Sequence, residues 1–123
     1  MLDNVSVDDN STGITVDGRS TTGTNTVTIR NSTFAGSTTY GVNAIDSAGG
    51  ATNVVIEGST LSNNGSHGVV SNGANTTVHM RNSTVTGNAR GIIFTASGKL
   101  ISVGGNAVVN NTVNGAFTSS VAQ

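Results

Sequence analysis

The side chains that could carry out chemistry are few and widely separated in this sequence. It holds five Asp, one Glu, two His, one Tyr and no Cys. Two carboxyl groups on opposite sides of a glycosidic bond can hydrolyse it when one is protonated and the other ionised. Asp3 and Glu57 form a candidate pair if the fold brings them to one face. Arg30 between them would hold both carboxylates ionised, which argues against acid catalysis.

A second candidate site lies in two segments rich in turn residues. These segments are DGRSTTGTN at Asp17–Asn25 and DSAGGATN at Asp46–Asn53. If their loops are neighbours, Asp17, Arg19 and Asp46 could form a weak site for a cation or a sugar; solvated turn residues are the alternative. Because Ca²⁺ usually takes six to eight oxygen ligands from several carboxylates, we predict no cofactor and no metal ligands, and keep Ca²⁺ only as a weak alternative.

A third set of candidates shares one local context. Tyr40, His67 and Arg90 each stand immediately before a glycine in similar segments of the chain. Stacked on one another, these three side chains would form a small amphipathic strip that could pack against a sugar ring or a partner side chain. Ordinary surface side chains near a turn are the alternative.

The composition excludes several classes of partner. Only five basic side chains are present and they are scattered, whereas nucleic-acid binding needs clustered Lys and Arg. No apolar run approaches the roughly 20 residues of a membrane span. The first residues, MLDNVSV, lack the basic and apolar regions of a signal peptide.

Asn, Ser and Thr make up 50 of the 123 residues and Pro is absent, which favours short strands joined by many polar turns.

Repeats are the elements that must position these candidates. VTIRNSTFAG (Val27–Gly36), VVIEGSTLSN (Val54–Asn63) and VHMRNSTVTG (Val78–Gly87) are three copies of one unit. The segment that begins at Leu2 fits the same alignment, with Val7 at the position of the Phe in the first copy. The aligned apolar positions are Val27, Val54, Val78 and Ile101, then Ile29, Ile56, Met80 and Val103, and then Phe34, Leu61, Val85 and Val108. A recurrent glycine follows in each unit, at Gly13, Gly41, Gly68, Gly91 and Gly115.

The period of the repeat predicts a solenoid of β-strands. Apolar residues alternate with a spacing of two, which indicates strands and not helices, and the unit recurs about five times with a period of 23–28 residues. We therefore predict an all-β fold, a single-stranded parallel β-helix with about five coils. Residues 1–123 are expected to form one β-helix domain.

Stacking of the coils turns each aligned position into a column of side chains. One column carries alternating charges, Asp3, Arg30, Glu57 and Arg81, and ends at Gly104. Opposite charges on adjacent strands attract, and we predict that the Arg of the RNST segments flanks a carboxylate, Glu57, from both sides. A second column is an Asn ladder at a corner, with Asn10, Ser37, Asn64, Asn88 and Asn111. Thr12 and Asn114 are expected to flank Tyr40, His67 and Arg90 in the strip.

The repeated V-x-I-x-N-S-T unit resembles the right-handed parallel β-helix repeats of the pectate lyase-like superfamily. The C-terminal ISVGGNAVVNNTVNGAFTSSVAQ is similar to the ends of short, uncharacterised bacterial secreted proteins with such repeats. This resemblance implies a right-handed helix, an extracellular or cell-surface location, and a chain that is the C-terminal segment of a longer β-helix. It implies no single function, because lyases, hydrolases and adhesins share the fold.

Two functions remain open from the sequence. The first is a non-catalytic scaffold or binding module of a secreted or surface protein, which makes an enzyme the less favoured reading. The alternative is a degenerate or truncated polysaccharide lyase or hydrolase with a weak carbohydrate site. The expected partners are a polysaccharide or a second copy of the chain that covers the open N-terminal coil.

Overall fold

The computed structural model describes residues 1–47 and 50–121 and shows a parallel β-solenoid with three faces. Sheet A contains Leu2–Asp3 (β1), Thr24–Arg30 (β4), Ala51–Glu57 (β7), Thr76–Arg81 (β10), Lys99–Ser102 (β13) and Ser119–Ser120 (β15). Sheet B contains Ser6–Asp8 (β2), Thr33–Ala35 (β5), Thr60–Ser62 (β8), Thr84–Thr86 (β11) and Ala107–Val109 (β14). Sheet C contains Thr12–Asp17 (β3), Tyr40–Ile45 (β6), His67–Asn72 (β9) and Arg90–Thr95 (β12).

The first four coils pass through the three sheets in the same order, which confirms the predicted fold class. The solenoid has four complete coils and a partial fifth, in which an isolated bridge between Arg90 and Val113 replaces the strand of sheet C. Leu2 pairs with Ile29 and Ile29 with Ile56, as the alignment predicts. Within the described residues, no helix is long and apolar enough to cross a membrane.

The core is a set of apolar columns, one residue per coil. Its largest members have no exposed surface and come from all three sheets: Ile29, Ile56, Met80, Val54, Val78, Leu100, Phe34, Leu61, Val85, Val42 and Val69. Each such side chain contributes about 1.5–3 kcal/mol by its removal from water. Short strands suffice because the core is only one side chain deep on each face, and the coils supply its length.

Two corners of each coil require a left-handed backbone, and the sequence places Asn, Asp or Gly at every one. The corner between sheets A and B has positive φ at Asn4, Asn31, Gly58, Asn82 and Gly105. The corner between sheets B and C has positive φ at Asp9, Gly36, Asn63, Gly87 and Asn110. These residue types adopt the left-handed region at the lowest cost. The recurring RNST and EGST segments are therefore corner sequences.

The Asn ladder is present at the corner between sheets B and C. Asn64 Nδ2 donates to Asn88 Oδ1 at 2.9 Å, and Asn88 Nδ2 donates to Asn111 Oδ1 at 2.9 Å. Ser37 extends the ladder through its backbone, since its N–H donates to Asn64 Oδ1 at 3.1 Å. Asn10 does not take part, because it is exposed and its Nδ2 donates to Asp8 O.

A second buried ladder, which the sequence did not reveal, runs along the corner between sheets A and B. In each coil one backbone N–H at this corner donates to a Ser hydroxyl of the next coil. Val5 N–H donates to Ser32 Oγ at 3.1 Å, Ser32 N–H to Ser59 Oγ at 3.1 Å, and Ser59 N–H to Ser83 Oγ at 3.2 Å. Asn106 Oδ1 takes over this role for Ser83 N–H. Ser32, Ser59 and Ser83, the Ser residues of the RNST and EGST segments, are therefore interior residues.

The predicted register of the fifth coil is wrong by one residue in sheet A. Leu100 and Ser102, not Ile101 and Val103, align with Val78 and Met80. His79 accordingly lies between Val55 and Ile101. Adjacent apolar residues made the alternation ambiguous, and a slip of one residue exchanges the inner and outer faces. The predicted register returns in sheet B, where Val108 pairs with Val85.

The end of the recurrent glycine column also differs from the prediction. Val113, not Asn114, lies opposite Arg90, so Asn114 is not part of the strip. A Cβ on Gly91 would lie 2.6 Å from Asn114 O, so Gly115 does not occupy the fifth glycine position. Asn114 instead ends the Asn ladder, because its Oδ1 accepts from Asn111 Nδ2 at 3.1 Å.

The column of alternating charges has the predicted register but forms two separate pairs. Arg30 lies beside both Asp3 and Glu57 in the sheet. Its Nη2 donates to Asp3 Oδ2 at 3.1 Å, while Glu57 Oε1 lies 3.9 Å from Arg81 Nη1. Arg30 and Arg81 therefore flank Glu57 in the sheet as predicted, but of the two only Arg81 pairs with it, because the Arg30 head turns toward Asp3. In the fifth coil the shifted register removes Gly104 from the column.

Candidate functional site

The strip of Tyr40, His67 and Arg90 is assembled in the predicted register. Tyr40 pairs with His67 across β6 and β9, and His67 pairs with Arg90 across β9 and β12. The rings of Tyr40 and His67 have centroids 5.5 Å apart and are tilted by 41°. This arrangement falls within the range of favourable contacts between aromatic rings. We call these three residues the aromatic strip.

The glycine after each strip residue explains why the strip faces outward. Gly41, Gly68 and Gly91 are buried where the chain enters sheet C. A Cβ on Gly68 would lie 2.5 Å from Val85 Cγ1, and one on Gly91 would lie 2.9 Å from Val108 Cγ1. The core leaves no room for a side chain there, so the preceding residue carries the side chain that projects from the corner.

His67 is held neutral within the strip. Burial of the ring, followed in importance by the positive charge of Arg90, lowers the pKa of His67 below its ordinary value. Its Nδ1 is shielded from solvent and has no hydrogen-bond partner among the described residues. At neutral pH the strip is therefore two uncharged rings followed by one exposed guanidinium, an arrangement suited to stacking and to donating hydrogen bonds.

A column next to the aromatic strip enlarges this surface, and the sequence did not identify it. Asn43 pairs with Val70, and Val70 with Ile93. Asn43 lies between the inward residues Val42 and Ala44, so strand alternation places its column on the outer side. The adjacent pairs Val69–Val70 and Ile92–Ile93 were the available signal, since one member of each pair must face outward. We call the aromatic strip together with Asn43, Val70 and Ile93 the sheet C face.

The structure brings together only part of the second candidate site. Arg19 forms a two-point pair with Asp17, with Nε 3.0 Å from Oδ1 and Nη2 2.7 Å from Oδ2. The Arg19 side chain, and then its backbone N–H, lower the pKa of Asp17 to about 2. Asp46 lies in the next coil, immediately after the partner of Asp17 in sheet C, but it is completely buried and its Oδ2 accepts from Thr52 Oγ1 at 3.0 Å. Ala48 and Gly49 of the second loop lie outside the described residues.

The acidic groups do not gather into a metal centre in the part of the chain that the structure describes. There, no group of three or more His, Cys, Asp or Glu side chains could hold a metal ion. Asp17 is bound to Arg19 and Asp46 is buried, so the two carboxylates face different surroundings. Weak Ca²⁺ binding at these loops stays a prediction.

Comparisons with known proteins address the fold and no particular ligand. Residues 1–113 match a family model described as a right handed beta helix region. No curated protein and no solved structure matches the chain.

Proposed function

Because the chain belongs to the right-handed β-helix family, we propose that it is a non-catalytic β-helix module that binds a carbohydrate chain across the sheet C face. One observation carries the proposal: Tyr40, His67 and Arg90 occupy one register position on three consecutive coils, with the two rings 5.5 Å apart. Sugar rings offer apolar C–H faces that pack on aromatic rings and hydroxyls that accept hydrogen bonds from a guanidinium.

The rest of the sheet C face fits the same ligand. Ile93 gives it a half-buried apolar contact beside the strip, and Asn43 adds a half-buried amide that can both donate and accept hydrogen bonds. Val70 between them is only 7% exposed, so it supports these two side chains more than it contacts a ligand. Three consecutive coils extend the strip over roughly 9.6 Å, twice the usual distance between strands. An extended chain is better matched to such a linear surface than a compact small molecule is.

The arrangement of carboxylates supports binding over catalysis. Asp3 and Asp17 are paired with Arg30 and Arg19, and both pKa shifts are downward. An inverting glycosidase needs one carboxyl group whose pKa is raised so that it can donate a proton. Asp3 and Asp17 are held in their ionised form, so neither suits the role of that acid.

The binding proposal is tested by titrating soluble polysaccharides into the wild type and into Tyr40→Ala and Arg90→Ala. Each substitution is expected to weaken binding about three- to tenfold, as the loss of a stacking contact would. Thr77→Ala, on the outer side of sheet A, is the control and should bind like the wild type. Equal affinity for Tyr40→Ala and the wild type, or no binding to any polysaccharide, would reject the sheet C face as the site.

The enzymatic alternative is tested by incubating polygalacturonate and alginate with the protein and added Ca²⁺. The proposal expects no unsaturated product. Turnover that disappears in Asp17→Asn and persists in Asp8→Asn would establish the alternative in its place. The acidic control is useful because Asp8 lies in the same coil and its carboxylate is hydrogen-bonded only by Ser6 among the described residues.

We further propose an extracellular or cell-surface location, on the resemblance alone, and a second copy of the chain against the N-terminal coil. The strands β1, β2 and β3 lie at the edges of their sheets, where unpaired backbone groups can accept another strand. Light scattering over a range of protein concentrations would test the second copy. A monomer at every concentration would refute it.

A further inference from the structure

A polar depression lies at the corner between sheets A and B, separated from the aromatic strip by the strands of sheet B. The left-handed corner positions of three consecutive coils are Asn31, Gly58 and Asn82. Gly58 has no side chain, so a gap remains between the two amides. The resulting depression has a volume of about 310 Å³ and is lined by Arg30, Asn31, Glu57, Gly58 and Asn82.

The depression holds a hydrogen-bond donor that lacks an acceptor. Arg30 donates from Nη2 to Asp3 Oδ2 at 3.1 Å, but its Nε is shielded from solvent and has no partner among the described residues. A buried donor without an acceptor destabilises a structure by about 1–3 kcal/mol. The Arg30 side chain is 43% exposed, so its head can turn, and a ligand oxygen in the depression would satisfy the Nε donor after that turn.

An acceptor stands on the adjacent coil. Glu57 Oε1 lies 3.9 Å from Arg81 Nη1, which is beyond hydrogen-bond distance, so this carboxylate keeps its capacity to accept. Asn82 offers an amide on the far side of Gly58. Donor, acceptor and amide thus surround one small gap.

The charges around the depression decide which ligand fits. Asp3 and Glu57 balance Arg30 and Arg81 within this column. An anion would be attracted to Arg30 but repelled by Glu57. A metal cation would be attracted to Glu57 but repelled by Arg30. A hydroxyl group carries no charge and both donates and accepts hydrogen bonds. Neighbouring hydroxyls could donate to the carboxylate and accept from the guanidinium at the same time.

We infer that this corner, built by Arg30, Glu57 and Asn82 around Gly58, binds vicinal hydroxyl groups of a neutral sugar or polyol. The site is separate from the sheet C face and does not depend on it. The hydroxyls can belong to a free small molecule or to a residue within a neutral glycan, and the two sources share the chemistry that the corner recognises.

The decisive variant fills the depression without removing a polar group. Gly58 has φ +58°, close to Asn31 at 49° and Asn82 at 48°, so Gly58→Asn places a residue type that this column already contains. The added Cβ would lie 2.9 Å from Asn31 Oδ1, the end of a side chain that can move. Gly87→Asn is the matched control, because Gly87 has φ +71° in the corresponding column of the other corner.

The experiment is an NMR titration of backbone amides with methyl glucoside, galacturonate and Ca²⁺ as separate probes. We expect methyl glucoside to shift the amide resonances of residues 30–31, 57–58 and 81–82. Galacturonate and Ca²⁺ should bind there more weakly than methyl glucoside does. Gly58→Asn should lower the affinity at least about tenfold, Glu57→Gln by less, and Gly87→Asn not at all. Larger shifts with a neutral oligosaccharide than with methyl glucoside would identify a glycan as the source of the hydroxyl groups. Equal shifts with the two probes would identify a free polyol.

Three results would overturn the inference: no shifts at the corner, unchanged binding in Gly58→Asn, or tighter binding of galacturonate or Ca²⁺ than of methyl glucoside. Thermal melting of each variant shows whether a loss reflects unfolding. Tyr40→Ala separates this site from the sheet C face, because it should leave the shifts at the corner intact. Failure of one site therefore does not imply failure of the other.

Discussion

Two columns of side chains repeat along this solenoid at the same spacing but stabilise it in different ways. The amide ladder of Asn64, Asn88 and Asn111 lies inside a corner, with Asn64 and Asn88 exposed by only 1% and 2%. The charge column of Asp3, Arg30, Glu57 and Arg81 lies outside sheet A, with side chains 40–48% exposed. The first column is continuous, whereas the second breaks into two pairs.

Side-chain length and access of water explain the difference. An Asn amide is short and rigid, and its two ends reach the neighbouring coils without extra freedom. Arg and Glu are long, so pairing restricts many rotamers, and water competes for both partners. Columns with equal spacing therefore do not contribute equally to stability. Stacking stabilises the solenoid most where the stacked side chains are buried and short.

The largest effect should come from removing the middle of the amide ladder. Asn88 accepts from Asn64 N at 2.8 Å and from Asn64 Nδ2, and its own Nδ2 donates to Leu61 O at 3.1 Å. Asn88→Ala leaves these buried groups unpaired, at a cost of about 3 kcal/mol in the free energy of unfolding. Denaturant unfolding measures it. Asn10→Ala, at the exposed position of the same column, is the control; similar losses for the two variants would contradict the comparison.

The Ser ladder should give an intermediate effect. Ser59 Oγ accepts from Ser32 N at 3.1 Å and donates to Glu57 O at 2.9 Å. Ser59→Ala removes both bonds but leaves fewer buried groups unpaired than Asn88→Ala does, so we expect a loss of about 1–2 kcal/mol. Ser62→Ala, which points outward from sheet B, should change stability much less. Equal melting temperatures for Ser59→Ala and Ser62→Ala would show that the hydroxyl is not needed.

Most of the fold was predictable because spacing determines a solenoid. The columns of Ile29, Phe34 and Asn64 are visible as recurring residue types, and the structure pairs them as aligned. The fifth coil was misaligned because Leu100 and Ile101 are both apolar, so the alternation allows two registers. The Ser ladder was not predictable because a Ser next to Asn is typical of an exposed turn. Its interior role depends on a backbone N–H in the adjacent coil, which the local sequence does not indicate.

The candidate sites were predictable in position and not in environment. A common local context placed Tyr40, His67 and Arg90 in one strip. Nothing in the loop segment shows that Asp46 is buried and Asp17 is paired with Arg19, because burial depends on how adjacent coils overlap. The depression at Gly58 was missed for a related reason: a glycine between two asparagines of other coils becomes a gap only after stacking.

The pH dependence of stability should separate the two columns. Hydrogen bonds from Arg30, and then from Asn31, lower the pKa of Asp3. The unfolded state therefore binds the proton more readily, so this contribution is present above the ordinary pKa of Asp and is lost as the pH falls through the lowered value. In thermal melts between pH 2 and 6, the melting temperature should fall less steeply with decreasing pH in Asp3→Asn than in the wild type. The destabilisation by Asn88→Ala should not change over this range, because amides do not titrate. Identical acid slopes for Asp3→Asn and the wild type would show that the Asp3–Arg30 pair does not stabilise the fold.

The smallest effect should come from Glu57→Gln in the charge column. Glu57 and Arg81 are 3.9 Å apart and about half of each side chain remains in water, so we expect a loss of up to about 1 kcal/mol at low salt. Added salt screens an exposed pair, and the difference between variant and wild type should therefore shrink as ionic strength rises. Paired denaturant titrations at low and high salt measure this change. A loss that is independent of salt would mean that Glu57 stabilises the corner through packing or hydrogen bonding, which would bring the outer column closer to the amide ladder. A melting temperature equal to that of the wild type at low salt would mean that the charge column contributes nothing to the stability of the stacked coils.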